Sequence, residues 1–143
     1  MTDRHANAHW EGAGKTGKGK ITTQSGVLDS NPYGFNTRFE NEAGTNPEEL
    51  IAAAHSSCFA MALAFELEKA GFTARALDVK SVVTLVPDGE SFKVTKSALT
   101  LNAVVPEVEQ GRFEQIANGA KEGCPISKVL KAEITLDWTF SQS

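Results

Sequence analysis

The sequence predicts an α+β domain with an antiparallel sheet, on three observations. Stretches with a two-residue apolar period stand near both ends of the chain, a long Ala-, Leu- and Met-rich helix with a marked start lies between them, and a Pro-Asp-Gly turn divides two β-rich stretches. The order is strands, helix, strands, helix, strand, which is the α+β pattern.

Taken in order, Arg4 to Glu11 carries Ala6, Ala8 and Trp10 on one face and His5, Asn7 and His9 on the other, the period of a half-buried strand. Glycines at 12, 14, 17 and 19 mark a turn, and Ile21 to Gln24, with its β-branched threonines, forms the returning strand. A further strand is expected over Tyr33 to Glu40. At Asn46-Pro47-Glu48-Glu49 an N-cap residue, a Pro at the first helical position and a Glu three residues after the cap coincide. The helix then runs for about six turns until Gly71, a C′ residue. Its middle is apolar nearly all round, so burial at the centre of the molecule or of a dimer is expected.

Leu77 to Val86 and Phe92 to Val105 read as a hairpin around Pro87-Asp88-Gly89. Phe113, Ile116 and Ala120 recur at helical spacing within Glu109 to Glu122, and Pro125 starts a further turn through Leu130 with Cys124 at its N-cap. The last strand sets Ile134, Leu136, Trp138 and Phe140 on one face against Glu133, Thr135, Asp137 and Thr139 on the other.

A length of 143 residues suits one domain, residues 1–143, with a single core. A hydrophobic share of 41% and a charged share of 22% exclude a wholly disordered chain. The net charge of −4 argues against nucleic acid as the main partner, because phosphate binding needs clustered Lys and Arg. Lys15, Lys18 and Lys20 do cluster, and read as a solvated hairpin. Met1 to Ala8 holds charges and no apolar core, so it is no secretory signal and a cytoplasmic location is expected. The longest uncharged run, Leu50 to Phe65, includes His55, Ser56 and Ser57 and is too short for a membrane span of about 20 apolar residues.

Two motifs fail on context. Gly12-Ala13-Gly14-Lys15-Thr16-Gly17 matches a dinucleotide fingerprint and, with Lys18, most of a P-loop. A phosphate cradle needs a helix to begin there, whereas Lys20-Ile21-Thr22-Thr23 is strand material. His55 and Cys58 stand three apart on the long helix, but structural zinc wants four ligands, and only His5 and His9 on a remote strand remain to complete a site. His55 reads instead as a helix-surface or hydrogen-bonded core histidine.

The two cysteines, Cys58 and Cys124, are the residues most suggestive of chemistry. A thiol attacks only as thiolate, and apolar burial raises its pKa above about 8.5, so Cys58 in mid-helix needs a cation. The candidates are His55 and Arg38. A half-buried Arg38 requires a carboxylate, which Glu48 or Glu49 can supply; equally, it is a surface residue beside Glu40 or Glu42. Cys124, at a helix N-cap, is the more acidic of the two thiols by electrostatics alone.

Tyr33-Gly34-Phe35-Asn36-Thr37-Arg38-Phe39, Gly44-Thr45-Asn46-Pro47-Glu48-Glu49-Leu50, Ala54-His55-Ser56-Ser57-Cys58-Phe59 and Gly123-Cys124-Pro125-Ile126-Ser127 together resemble the osmotically inducible protein C and organic hydroperoxide resistance (OsmC/Ohr) family. The resemblance covers about Ala8 to Asp137, and His9-Trp10-Glu11-Gly12 and His55 resemble the osmotically inducible branch more closely. It implies an intertwined homodimer with antiparallel sheets flanking long central helices. It implies, too, a thiol peroxidase of the osmotic and oxidative stress response acting on organic hydroperoxides. In that resemblance Cys58 matches the peroxidatic cysteine, Cys124 the resolving cysteine with which it forms a disulfide, Arg38 the activating arginine and Glu48 the glutamate that holds it. No cofactor or metal is implied; the reductant is an external dithiol of lipoyl type, as a lipoylated protein or dihydrolipoamide.

Ten residues of unbroken helix rise about 15 Å, so Glu48 is expected to serve the Cys58 of a partner subunit. Phe59 and Met61 are expected to line an apolar substrate pocket, or else to be plain core. Two rival readings stand beside the peroxidase: a Cys-His hydrolase with Cys58 as nucleophile and His55 as base, and a non-enzymatic, stress-induced binding domain with inert thiols.

Overall fold

The computed structural model describes all 143 residues. The elements are β1 (Ala6–Glu11), β2 (Lys18–Thr23), β3 (Asn31–Tyr33), α1 (Phe35–Phe39), α2 (Pro47–Lys69), β4 (Ala76–Asp88), β5 (Ser91–Val104), α3 (Gln110–Gly123), α4 (Pro125–Val129) and β6 (Glu133–Ser141). They fall into two compact units, Met1–Leu50 and Ile51–Ser143, each with a three-stranded sheet, β1-β2-β3 and β4-β5-β6.

The first sheet is antiparallel throughout. Trp10, Gly19 and Tyr33 stand side by side across its three strands. The Trp10 and Tyr33 rings, 5.5 Å apart, close over Gly19, where a Cβ would overlap both. Glycine in a central strand is thereby exchanged for an aromatic pair. The glycine-rich segment before it is a turn, closed by the Gly17 amide on the Ala13 carbonyl at 2.7 Å, and leads straight into β2. No helix begins there to receive a phosphate. β1 is exposed along its whole length, so its alternating face is not half-buried as the sequence predicts.

The strand expected over Tyr33 to Glu40 is a correction. β3 ends at Tyr33, and one helical turn, α1, follows. Thr37 explains the change: its Oγ1 accepts from the Gly34 amide at 2.9 Å and donates to the Gly34 carbonyl at 3.1 Å. A local side-chain bond of this kind gives the backbone an alternative to a ladder.

α2 starts and stops as its end signals dictate. Asn46 Oδ1 accepts from the Glu49 amide at 2.8 Å, the N-cap bond. At the far end the Gly71 amide bonds Glu68 O at 3.0 Å and the Phe72 amide bonds Leu67 O at 2.9 Å, with Gly71 at φ 92°. This is a Schellman motif, which needs a left-handed residue at Gly71. Only one stripe of α2, His55, Phe59, Leu63 and Leu67, is buried. The opposite side leaves Met61 65% and Phe65 58% exposed, so the chain does not bury this helix all round.

In the second unit β4 and β5 form the expected hairpin with Gly89 in the turn. β6 pairs with β5 in parallel, not antiparallel, from Lys96↔Glu133 to Val104↔Ser141. The reason is the crossover: the chain returns through α3 and α4, and a strand reached through helices can lie parallel to the one it left. The core is built from the buried stripe of α2, from Leu99, Leu101 and Ala103 of β5, and from Phe113, Ala117 and Ala120 of α3. Ile134, Leu136, Trp138 and Phe140 pack against it, as their alternation predicts. Phe113 stacks on Phe140 at 4.5 Å and meets Trp138 edge-on at 5.5 Å.

Candidate active site

The predicted site residues come together as two pairs, one in each unit. In the first, Arg38 on α1 grips Glu48 in the first turn of α2: Nε donates to Oε1 and Oε2 at 3.0 and 3.1 Å, and a terminal guanidinium nitrogen donates to Oε1 at 2.6 Å. Side-chain exposure is 36% for Arg38 and 13% for Glu48. Of the two open readings of Arg38, the carboxylate-held one is realised, with Glu48 as partner; Glu49 accepts from the Thr45 hydroxyl instead. The fork geometry fixes the guanidinium plane as a lysine could not. It sits over the Phe39 ring at 5.3 Å and borders a slot of about 100 Å³ lined also by Trp10, Tyr33, Phe35 and Pro47.

The second pair is Cys58 and Cys124, both free thiols, with their sulfurs 2.9 Å apart. Cys58 lies mid-helix on α2, beside the buried stripe and half-buried. Cys124 owes its place to Pro125. α3 cannot continue through a proline, and the residue before it is driven extended; Cys124 adopts φ −58°, ψ 127°. Its amide still closes α3 on Ala120 O at 2.9 Å while its carbonyl opens α4 by accepting from the Lys128 amide at 3.2 Å. One residue thus caps two helices, and its side chain is fully buried.

The two thiols are pushed in opposite directions. Burial, then the adjacent Cys124 thiol, raises the pKa of Cys58 against a smaller lowering by the Ile126 amide. Burial raises Cys124 as well, but the Cys58 thiol and the amides and hydroxyl of the α4 turn outweigh it and leave its pKa lowered. No capping hydrogen bond of regular geometry reaches the Cys124 sulfur, so those amide and hydroxyl dipoles act on it through space. The lower pKa at the N-cap cysteine agrees with the electrostatic expectation.

His55 is a hydrogen-bonded core histidine. Fully buried, it meets Ser97 Oγ through Nδ1 at 2.6 Å and Ser127 Oγ through Nε2 at 2.8 Å, and Ser97 Oγ meets Ser81 Oγ at 2.9 Å. Burial holds its pKa below the usual imidazole value. His9 pairs with Glu11 at 3.0 Å, and no group of three His, Cys, Asp or Glu side chains converges to hold a metal. Phe59, one of the two pocket candidates, is plain core, with no exposed surface.

The sequence reading missed Ser97 and Ser127. The signal for Ser97 was present in part: it alternates with Leu99, Leu101 and Ala103, and it is the one fully buried hydroxyl of β5. A lone polar residue on an apolar stripe needs a buried partner. For Ser127 the signal is its position three residues past the Cys124 N-cap.

Comparison with known proteins places the chain among relatives. The OsmC-like protein family model matches residues 39–139. Peroxiredoxin OsmC of Escherichia coli (strain K12) is 53% identical over 135 residues, 94% of each chain. Organic hydroperoxide resistance protein OhrB of Bacillus subtilis (strain 168) is 31% identical over 116 residues, 81% of this chain and 84% of its own. The crystal structure of Bacillus subtilis OhrB superposes with a TM-score of 0.70 at 26% identity, covering 96% of this chain and 98% of that one. An organic hydroperoxide resistance protein OsmC from Legionella pneumophila shares the fold with a TM-score of 0.69 at 24% identity, covering 99% and 98%. On sequence and fold alike, this chain belongs to the OsmC family.

Proposed function

We propose that this protein is a thiol peroxidase that reduces organic hydroperoxides to alcohols. The observation that carries the reading is the pair of free thiols 2.9 Å apart, one half-buried and one fully buried, in a chain whose relatives are named peroxiredoxin and organic hydroperoxide resistance protein. Unequal access divides the labour. Cys58, the thiol that solvent reaches, attacks; Cys124, enclosed beside it, resolves.

The Cys58 thiolate attacks the terminal oxygen of ROOH. The S–O bond forms as the O–O bond breaks, and the alkoxide leaves with a proton as ROH. The resulting sulfenic acid condenses with the Cys124 thiol to a disulfide and water. An external dithiol of lipoyl type then reduces the disulfide and is itself oxidised. Its pKa being raised, Cys58 needs a cation to ionise at neutral pH, and Arg38, held in a fixed plane by Glu48, supplies that charge and stabilises the one developing on the leaving oxygen.

We assign that arginine to a second copy of the chain. α2 runs unbroken from Pro47 to Lys69, so the rise of about 15 Å between Glu48 and Cys58 holds. The exposed Met61 and Phe65 give a homodimer apolar surface to cover. α2 is also the one helix long and apolar enough to cross a membrane by length and composition, and a partner subunit accounts for that apolarity equally well. The aromatic slot beside Arg38 favours apolar R groups over hydrogen peroxide, each Å² removed from water contributing roughly 25 cal/mol.

The hydrolase reading loses its base: both ring nitrogens of His55 are occupied by serine hydroxyls.

Cumene, fatty-acid and hydrogen peroxides compared in steady state, with dihydrolipoamide as donor, test the reading. Higher kcat/KM for the organic substrates and loss of two thiols per chain without intermolecular cross-links are expected; unchanged thiols after stoichiometric peroxide would leave a binding domain. Mass spectrometry of Cys58→Ser and Cys124→Ser after one equivalent of peroxide should find sulfenic acid on Cys58. Mixed dimers of the inactive Cys58→Ser and Glu48→Ala chains should regain activity, since one of the two sites is then intact. No recovery despite verified mixing places Glu48 in the chain it serves.

A further inference from the structure

The three lysines of the glycine-rich turn, which the sequence presents as a solvated hairpin, stand on the wall of a cavity. Lys15, Lys18 and Lys20 line a space of about 670 Å³ in the first unit, to which Tyr33, Phe35 and Asn36 also contribute. Lys18 and Lys20 reach it together because they are two apart on β2 and so share a face of the strand. Lys15 reaches it from the turn, its ammonium 5.4 Å from the centre of the Phe35 ring, within the range of a cation–π contact.

None of the three makes an ion pair within the chain. The ion pairs are His9–Glu11, Arg38–Glu48 and Lys69–Glu66. Glu11, opposite Lys18 in the register of β1 and β2, is taken by His9 at 3.0 Å. Glu40 and Glu42 border the same cavity without pairing with a lysine. Three ammonium groups thus face one space against two carboxylates, and an anion between them relieves their mutual repulsion.

The cavity adjoins the chemistry. Tyr33, Gly34 and Phe35 line both it and the slot of about 100 Å³ that borders Arg38. The Phe35 and Phe39 rings, four residues apart on α1, have their centres 5.0 Å from each other. The Lys15 ammonium lies against the first ring, and the Arg38 guanidinium lies 5.3 Å from the second. By these three distances the two cations are no more than about 16 Å apart. They differ in availability: Arg38 is held by the Glu48 carboxylate, so a carboxylate arriving with a ligand finds its partner at the lysines.

We propose that Lys15, Lys18 and Lys20 form a carboxylate subsite, and that among organic hydroperoxides the protein prefers those whose apolar chain ends in a carboxylate. The anion lies on the lysines, the chain along Tyr33 and Phe35, and the peroxide at Arg38. Burial of the chain is favourable but non-directional; the charge at its far end decides which way round it lies. The preference among substrates rests on the peroxidase reading, whereas the binding of a long-chain carboxylate does not.

The acid and the methyl ester of one long-chain unsaturated fatty-acid hydroperoxide differ in charge at the far end, and their kcat/KM values test this. The parent should prefer the acid on the order of tenfold, as partly exposed charge contacts shared among three lysines allow. Lys15→Gln, Lys18→Gln and Lys20→Gln together should erase the preference through KM, with kcat and the ester unchanged. Lys80→Gln, Lys93→Gln and Lys131→Gln together, at exposed positions of the second unit, remove the same charge and should leave the preference intact. Equal values for acid and ester in the parent, parallel losses for both in the first triple, or an equal loss of preference in the second triple overturns the proposal. Laurate binding, followed through the fluorescence of Trp10 in the slot, needs no turnover. The first triple should bind laurate about tenfold more weakly than the parent, and the second triple as the parent does; no binding to the parent, or equal affinity in the first triple, overturns the subsite. A chain that consumes no hydroperoxide ends the peroxidase reading, while the laurate titration still decides this one.

Discussion

Residues 1–50 and residues 51–143 each carry a three-stranded sheet, yet they hold it in different ways. In the second unit the sheet has an apolar face covered by helices, and its large side chains, Phe59, Leu63, Leu99, Leu101 and Phe113 among them, have essentially no exposed surface. The first unit has Ile21, still 9% exposed, as its one buried large apolar residue and leaves Trp10 and Phe39 partly open. Its order comes from local devices instead: the aromatic pair over Gly19, the Thr37 bonds to Gly34 and the Arg38–Glu48 fork. The contrast teaches that the thiols sit on elements of a packed core, while Arg38 is carried by a part with little core of its own.

Substitutions in each unit put this contrast to measurement. Phe113→Ala, which removes the ring stacked against Trp138 and Phe140, should cost about 3–5 kcal/mol in denaturant unfolding. Trp10→Ala in the first unit should cost well under half of that; equal losses would erase the distinction. Asn46→Ala removes the N-cap bond of α2 and should cost about 1 kcal/mol. Glu48→Ala should lower stability by at most about 1 kcal/mol, since the fork is partly open to solvent. Its kcat/KM for an organic hydroperoxide should nevertheless fall on the order of a hundredfold, and a loss of activity no larger than the loss of stability explains would remove Glu48 from the chemistry.

The smallest effect is a slope. Burial depresses the pKa of His55 in the folded chain below the ordinary imidazole value of about 6.5. Below that pH the unfolded chain binds a proton there that the native chain does not, so stability present above it is lost as pH falls toward the folded value. Chemical unfolding of the parent and of His55→Gln between pH 7.5 and pH 5 (roughly the span of imidazole titration) should show a shallower decline in the variant; parallel curves would mean that His55 ionises alike in both states.

Much of the fold was legible because it rests on local rules. The start of α2 at Asn46-Pro47, its stop at Gly71, the Pro87-Asp88-Gly89 hairpin, the break at Pro125 and the inward face of the last strand all follow from caps, turn residues and periodicity, and each stands where the sequence places it. Both cysteines and the Arg38 and Glu48 candidates could likewise be singled out, since thiolate chemistry needs a cation and a held arginine needs a carboxylate.

Four matters needed the tertiary structure. Two hydrogen bonds between Thr37 and Gly34 turned a β-rich stretch into a helical turn, a competition too close for propensity to settle. The parallel pairing of β6 with β5 depends on where a crossover lands. The one-sided burial of α2 depends on which faces find a partner, which an all-apolar helix does not encode. The row from Ser127 through His55 to Ser81 joins residues from α4, α2, β5 and β4, and nothing in one dimension relates them. Most element boundaries, though not the end of β3, and the residue types at the site could be read from neighbours a few residues apart; pairing direction, burial and the hydrogen-bond partners of His55 were decided only when distant segments met.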